Sequence, residues 1–374
     1  MKILFTGGGT GGHFYPIIAV AERVNELADR EKLSGVKLYY MSNEEYDKKA
    51  LFENGITFVM VPAGKLRIYP SIKNFFDMFK TAGGVLTAII KMFVIYPDVV
   101  FSKGAYASFP ALMAARILRI PVVIHESDSA PGRVNKWAGK FAKRIAISFP
   151  EAIEFFPKER TAWTGQPIRK ELLQPAKEGP YEFFKLQKGI PTIFILGGSQ
   201  GSTIINDAVL EALPVLLPNY QIIHQVGKAN KDDVLKRTSV ILDDYEYKDR
   251  YHPIDLLNPV QMKMAAGAAS VVISRAGSTI FEIACWGIPS ILIPFNQSNG
   301  DHAKKNAFAY ARAGACTVLE EDNISPNILA NAINDIISNE STHEAMRTAA
   351  KKWSRPDAAE TIATEILDIA KSHD

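Results

Sequence analysis

Two stretches of this chain begin alike, and together they restrict its fold more than any other feature. Residues 3–12 read ILFTGGGTGG and residues 193–202 read IFILGGSQGS. Each is a short apolar run feeding a glycine-rich turn, with a helix-length stretch behind it. Around them, β-branched runs alternate with amphipathic segments: 3–6, 36–41, 57–61, 99–102, 122–125 and 145–148, then 192–196, 221–225, 271–274, 291–294 and 316–319. Strands that alternate with helices predict βαβ units and parallel sheets. The expected fold class is α/β, with two Rossmann-like domains facing a central cleft. Ligands of open α/β sheets bind at the carboxyl ends of the strands, so such a cleft would collect both glycine loops. A chain of 374 residues has room for this. The expected domains are 1–165 and 191–355, joined by a linker over 166–190 that is rich in Pro, Gly, Lys and Glu. Residues 356–374 read as a C-terminal helix with Ala359, Ile362, Ile366 and Ile369 on one face, able to pack back on the first domain.

The chemistry of the loops points to phosphate. Backbone N–H groups in a glycine turn at a helix N-terminus favour negative charge. Gly7-x-Gly9-x-x-Gly12 matches the dinucleotide pattern, and Glu44, after the second strand, is available as a ribose-binding acid. An NAD-dependent oxidoreductase is therefore one reading. No Gly-Lys is followed by Ser or Thr, which argues against a nucleoside triphosphatase. His13 at the start of the helix points to a different use. An imidazole there faces whatever the loop holds, and the helix dipole favours its neutral form, suited to a base; the plainer role is capping or packing.

Further along, VVIHESDSAPGRVNKWAGK ends a strand in His125-Glu126-Ser127-Asp128, which sets carboxylates at the sheet edge as a base or orienting group. The helix expected next carries Val134, Trp137, Ala138, Phe141 and Ile145 on one face and Arg133, Lys136, Lys140 and Arg144 on another. Five cations lie in 132–147 without one acid. A second basic cluster, Lys65, Arg67, Lys73, Lys80 and Lys91, surrounds Ile72, Phe75, Phe76 and Phe79 at helical spacing. Phenylalanines rimmed by lysines fit a surface helix dipping into anionic lipid headgroups, with a core stripe as the bland alternative. Residues 84–95 continue the apolar period and read as ordinary core. The longest apolar run, 85–96, is twelve residues with Lys91 inside it, too short to span a bilayer. Net charge is +3, too small to imply nucleic acid, and the two cysteines do not suggest a disulfide scaffold. In the second half, Glu282 follows Arg275 by seven residues and sits where an acid can accept from ribose hydroxyls. No Asp-x-Asp occurs and the seven histidines show no paired spacing, so no metal site is expected.

Seven stretches, in order, resemble one family. They are GGGTGGHFYP, SKGAYASFPALMAARILRIPVVIHESDSAPGRVNKWAGKFAKRIAISFPEA, TGQPIRKELL, GGSQGSTIIND, HQVGK, ISRAGSTIFEIACWGIPSILIPF and NAFAYARAGACTVLE. Together they resemble the MurG family of peptidoglycan glycosyltransferases. The resemblance implies the glycosyltransferase-B (GT-B) fold and inverting, metal-independent transfer of N-acetylglucosamine from UDP-GlcNAc to lipid I, giving lipid II. No cofactor is implied beyond the UDP-sugar substrate. The implied partners are undecaprenyl-pyrophosphate-linked lipid I and an anionic membrane surface, with the chain peripheral on the cytoplasmic face of the cell membrane. Carried over by residue, the resemblance implies His13 as base and Glu126 as support on the acceptor side. Thr10, Gly11, Gly12 and Asp128 would face the donor sugar or the acceptor pyrophosphate. Arg169 and Ser199 would hold the UDP phosphates and Glu282 the ribose, with Ser278 also binding the donor. The patch Ile72, Phe75, Phe76, Phe79, Lys73, Lys80, Lys136 and Lys140 would match the family's membrane face. A glycolipid acceptor or another UDP-sugar is the nearest alternative. This chain departs from the family at two amides of the sugar site, where it has Asp128 and Ala303; the stretch from Arg275 to Glu282 is one residue shorter. Losing an amide that bonds a sugar hydroxyl costs about 1 kcal/mol.

Overall fold

The computed structural model describes residues 1–65, 72–198, 201–296 and 301–372, with the side chains of 72–74 excepted. The chain divides into two compact units, Met1–Lys170 with Arg355–Asp374, and Glu171–Ser354. Each is a parallel sheet with helices on its faces.

In the first unit the strands are β1 (Lys2–Thr6), β2 (Lys37–Ser42), β3 (Ile56–Met60), β4 (Val99–Ser102), β5 (Val122–Glu126), β6 (Arg144–Ile147) and β7 (Thr161–Trp163). They are ordered β3-β2-β1-β4-β5-β6-β7, all parallel. The order reverses between β1 and β4, which creates a crevice at their carboxyl ends. Strand β4 beside that crevice and β5 next to it are buried at every residue, because both sheet faces are covered. Helices α1 (Gly11–Arg30), α2 (Lys48–Glu53), α3 (Ile72–Ile95), α4 (Phe109–Ile117) and α5 (Arg133–Ala138) fill the connections.

The second unit repeats the plan. Strands β8 (Thr192–Leu196), β9 (Gln221–Gln225), β10 (Tyr251–Ile254), β11 (Ala269–Ser274), β12 (Ser290–Leu292) and β13 (Cys316–Val318) lie in the order β10-β9-β8-β11-β12-β13. The reversal here falls between β8 and β11. Its helices are α6 (Pro180–Phe184), α7 (Thr203–Leu216), α8 (Lys231–Ile241), α9 (Pro259–Ala268), α10 (Thr279–Trp286), α11 (His302–Arg312), α12 (Pro326–Ile337) and α13 (Glu340–Trp353). The last helix, α14 (Ala358–Lys371), belongs to the first unit, where Ile362, Ile366 and Ile369 share a core with Ile17 and Val24 of α1.

Four features differ from the sequence expectation. Strands β7 and β10 were not anticipated: both are short sheet edges, and β10 carries Pro253, which an edge tolerates and an interior strand does not. The stretch expected as linker is divided between the units. Gln166 is buried in the first, whereas α6 and Leu186 pack into the core of the second with Ala265 and Trp286. Helix α5 ends at Ala138, so the basic stripe is not one helix face; Arg144 lies on β6 and pairs with Glu365 at 2.8 Å. Finally, 84–95 is not simply core. Ala88 and Met92 are buried, but Leu86, Ile90, Phe93 and Val94 are exposed.

Candidate functional site

The first crevice is built from the loops after β1, β4 and β5. Gly7 O accepts from Tyr40 and Ser42 at 2.9 and 2.8 Å, which draws the glycine turn down onto β2. Gly8 has φ +148°, and a Cβ there would lie 2.7 Å from Ser42 Oγ, so a side chain is excluded on both counts. Thr10 is the extended N-cap of α1, yet its hydroxyl caps nothing. It meets His13 Nδ1 at 2.9 Å instead. Gly11 and Gly12 thus open the helix without a side-chain cap. When Nδ1–H donates to Thr10 Oγ1, Nε2 is left as the basic nitrogen. Burial, then the neighbouring Lys103 charge, pushes His13 down to about 4 against the opposing pull of Asp128. The shift favours the neutral imidazole at pH 7.

Glu126 ends β5 and is buried. One carboxylate oxygen accepts from the Asp128 N–H at 3.0 Å, the other from the Gly132 N–H at 3.2 Å and Asn135 Nδ2 at 2.9 Å. It therefore buckles the loop from 126 to the start of α5. Burial and the Asp128 charge push its pKa above the usual carboxylate range. Asp128 sits on that loop. Arg169 stacks its guanidinium 4.4 Å over the Tyr15 ring on α1, one turn from the glycine loop.

The residue that sequence reasoning missed is Lys103, directly after β4. It is only 1% exposed. Its ammonium donates to His125 Nδ1 at 2.6 Å, to Gln166 Oε1 at 3.2 Å and to Ser127 Oγ. His125 Nε2 faces the Gly165 carbonyl at 2.9 Å, so that nitrogen carries the hydrogen and Nδ1 is the acceptor. Burial and the Lys103 charge keep this imidazole neutral, well below its usual pKa. Burial also lowers Lys103 itself, opposed by Glu126 and Asp128. The available signal was a lysine soon after the apolar run 99–101, where a solvated cation is not expected.

In the second unit the loop after β8 is held from beneath. Gln225 Nε2 donates to Gly198 O at 3.0 Å, and Gln225 Oε1 accepts from the Leu257 N–H at 3.0 Å. Gly201 has φ +78°, and a Cβ there would collide with Val226 O. Ser202 caps α7 through the Ile205 N–H at 3.3 Å. Arg275, directly after β11, donates to Ser202 Oγ at 2.5 Å and to Ile293 O at 3.2 Å, and pairs with Glu321 at 2.6 Å. Ser278 is the N-cap of α10, and Glu282 lies half-buried in its first turn. Ser199 lies outside the described residues. Among the described residues no group of three or more His, Cys, Asp and Glu side chains is placed to hold a metal ion.

On α3 the side chains of Ile72 and Lys73 are outside the described set, while Phe75, Phe76 and Phe79 are exposed with their rings edge to face. Lys80, Lys136 and Lys140 are exposed as well. The exposed apolar stripe runs on through Leu86, Ile90 and Phe93. By length and composition alone, Phe75–Ile95 is apolar enough to cross a membrane. Its opposite side is fixed in the core of the first unit through Ala88 and Met92.

Two doubly wound units, each with a glycine loop at its switch point, define the class, and comparison with known proteins gives the family. The glycosyltransferase family 28 N-terminal domain profile matches residues 3–147, and the glycosyltransferase family 28 C-terminal domain profile matches 192–362. The chain belongs to glycosyltransferase family 28 and is a glycosyltransferase. It is 36% identical over 370 residues, covering 98% of this chain and 99% of the relative, to a protein of Bacillus thuringiensis subsp. konkukian. That relative is named UDP-N-acetylglucosamine–N-acetylmuramyl-(pentapeptide) pyrophosphoryl-undecaprenol N-acetylglucosamine transferase 2. A Treponema denticola transferase of the same name, without the number, is 32% identical, covering 99% of this chain and 97% of its own length. In fold, the chain is similar to the crystal structure of Acinetobacter baumannii MurG, with a TM-score of 0.74, 23% identity, and 98% and 99% of the two chains covered.

Proposed function

We propose that this chain transfers N-acetylglucosamine from UDP-GlcNAc to the N-acetylmuramyl sugar of undecaprenyl-pyrophosphoryl-MurNAc-pentapeptide, by a single inverting displacement without a metal. The observation that carries the reading is His13, a neutral imidazole hydrogen-bonded to Thr10 at the mouth of the first glycine loop, in a chain whose relatives bear that transferase name. His13 Nε2 takes the proton of the acceptor hydroxyl as its oxygen attacks the anomeric carbon. The new C–O bond forms as the bond to UDP breaks, and UDP departs with the electron pair. Arg169, Ser199 and the second glycine loop stabilise the leaving diphosphate, a role that preorganised charge and N–H dipoles perform without a metal. Glu282 holds the ribose, and Ser278 binds the donor beside it. Thr10, Gly11, Gly12 and Asp128 face the sugar or the acceptor pyrophosphate, and Glu126 keeps that loop in shape.

The acceptor is a lipid, so the enzyme works at a surface. The α3 stripe of Phe75, Phe76 and Phe79, extended by Leu86, Ile90 and Phe93 and flanked by Lys80, Lys136 and Lys140, is the proposed docking face for anionic lipid on the cytoplasmic side of the membrane. Asp128 and Ala303, which replace amides of the family's sugar site, favour one second reading: the same reaction with a different UDP-sugar.

Thermal shift and transfer assays in EDTA test both. UDP-GlcNAc is expected to raise the melting temperature more than UDP-glucose or NAD, and labelled N-acetylglucosamine to appear on lipid I in vesicles. A larger shift with UDP-glucose and transfer of glucose would establish the second reading. No transfer from any UDP-sugar would overturn the assignment.

A further inference from the structure

Both switch points place a cation directly after the inner strand, and the two are neutralised differently. Arg275 is paired with a carboxylate, Glu321. Lys103 donates to three groups that carry no charge: His125, whose imidazole is neutral, Ser127 and Gln166. A buried ammonium whose direct partners are neutral is opposed only through space, here by the Glu126 and Asp128 carboxylates, so it still acts on its neighbours. The groups within its field are those of the first crevice. Lys103 Cβ lies 3.0 Å from where a Cβ on Gly7 would stand, so the lysine runs beneath the glycine loop. Its ammonium then reaches the end of β5, where it joins His125 and Ser127 to Gln166 from a second segment, after β7.

We propose that Lys103 is the positioning residue of this site: it ties His125, Ser127 and Gln166 into one arrangement, which fixes the loop of Glu126 and Asp128 beside His13. The tether and the field act on the same loop. Ser127 sits between Glu126 and Asp128, so a lysine bonded to it holds both carboxylates in place. The charged and titratable groups around His13 are Lys103 after β4, Asp128 and Glu126 at the end of β5, and His125 behind them. Lys103 and Asp128 act on the imidazole with opposite sign. An aspartate where the family has an amide is thus balanced by a buried lysine.

The kinetic part of the test rests on the proposed role of His13; the spectroscopic part does not. Lys103→Met, Lys103→Gln, Asp128→Asn and the double variant Lys103→Met/Asp128→Asn are made in the full chain. The His13 titration is followed by NMR of labelled histidine, with thermal unfolding and UDP binding as controls for folding. In Lys103→Met and Lys103→Gln the His13 midpoint is expected to rise by about one pH unit, the scale of a neighbouring charge, with UDP binding retained. In Asp128→Asn it falls, and the double variant lies between the single ones. The acid limb of kcat/KM for transfer follows the same order, and kcat at pH 7 drops at least about tenfold where the tether is lost. Folded Lys103 variants with an unmoved His13 midpoint would overturn the proposal. So would loss of the folded state in both, which would make Lys103 purely structural. A wild-type chain that transfers nothing would sink the transferase reading while the His13 titration still decided the role of Lys103.

Discussion

The strands beside the two switch points end almost identically, Val-Val-Phe-Ser-Lys at 99–103 and Val-Val-Ile-Ser-Arg at 271–275. Position, topology and preceding serine match, yet the two cations have different surroundings. Arg275 is locked into Glu321, Ser202 and a backbone carbonyl, so its charge is cancelled locally and it acts as a brace between the second glycine loop and the chain after β13. Lys103 is enclosed by neutral acceptors, and its charge reaches the titratable groups of the first crevice. The same fold position therefore serves rigidity in one unit and pKa control in the other. Arginine suits the first task because its planar fork bonds several acceptors at once; lysine suits the second as a compact point charge.

The sharpest way to break this division of labour is at His13. His13→Ala is expected to lower kcat for transfer by about 10²–10⁴-fold, the usual worth of a positioned base, while UDP affinity stays nearly unchanged. A comparable loss of UDP binding would show that the first crevice does not act through proton transfer alone. The next effect belongs to the second unit. Arg275→Met leaves Glu321, 5% exposed, without its cation, and should destabilise that unit by about 2–3 kcal/mol in urea unfolding. Hydrogen exchange should rise in β11 and α10, with β4 and β5 unaffected. If instead Arg275→Met moved the His13 titration, the contrast between brace and field would fail.

The smallest effect is in pH dependence. Burial holds His224 on β9 down to about 3, against an unfolded value of 6.5. Below pH 6.5 the unfolded chain takes up the proton first, so stability is complete above that pH and is lost as pH falls toward 3. His13 contributes the same sign between 6.5 and about 4. Glu126, whose pKa is raised, contributes the opposite slope, since the folded state holds its proton longer as pH rises. His125 in the first unit has the same sign as His224, so both units lose stability in acid, with Glu126 opposing the loss in the first. His224→Gln should flatten the stability of the second unit between pH 6 and 5 by about 1.4 kcal/mol. A slope in the second unit unchanged by that substitution would remove this part of the comparison.

Much of the architecture was readable in advance because its signals are local. The echo of the two glycine loops, the β-branched runs and the Ile362-Ile366-Ile369 stripe are periodicities of two or four residues, and such spacing fixes which side of an element is apolar. The placement of His13 at a helix start and of Glu126 at a strand end was legible for the same reason. Helix α3 shows where that logic stops. Apolar residues on both of its sides made 84–95 look like core, and periodicity could not say which side meets the sheet; packing buried Ala88 and Met92 and left Leu86, Ile90 and Phe93 outside.

What the sequence by itself determined, then, is the doubled α/β plan, the two loops and the family. What only the tertiary structure decided is the state of the charges within that plan. Lys103 meets partners 22, 24 and 63 positions away. Whether a cation is paired or left to act at a distance depends on which of these distant groups the sheet order brings beside it. The cost of burying a charge is set by those neighbours and not by the residues adjacent in the chain.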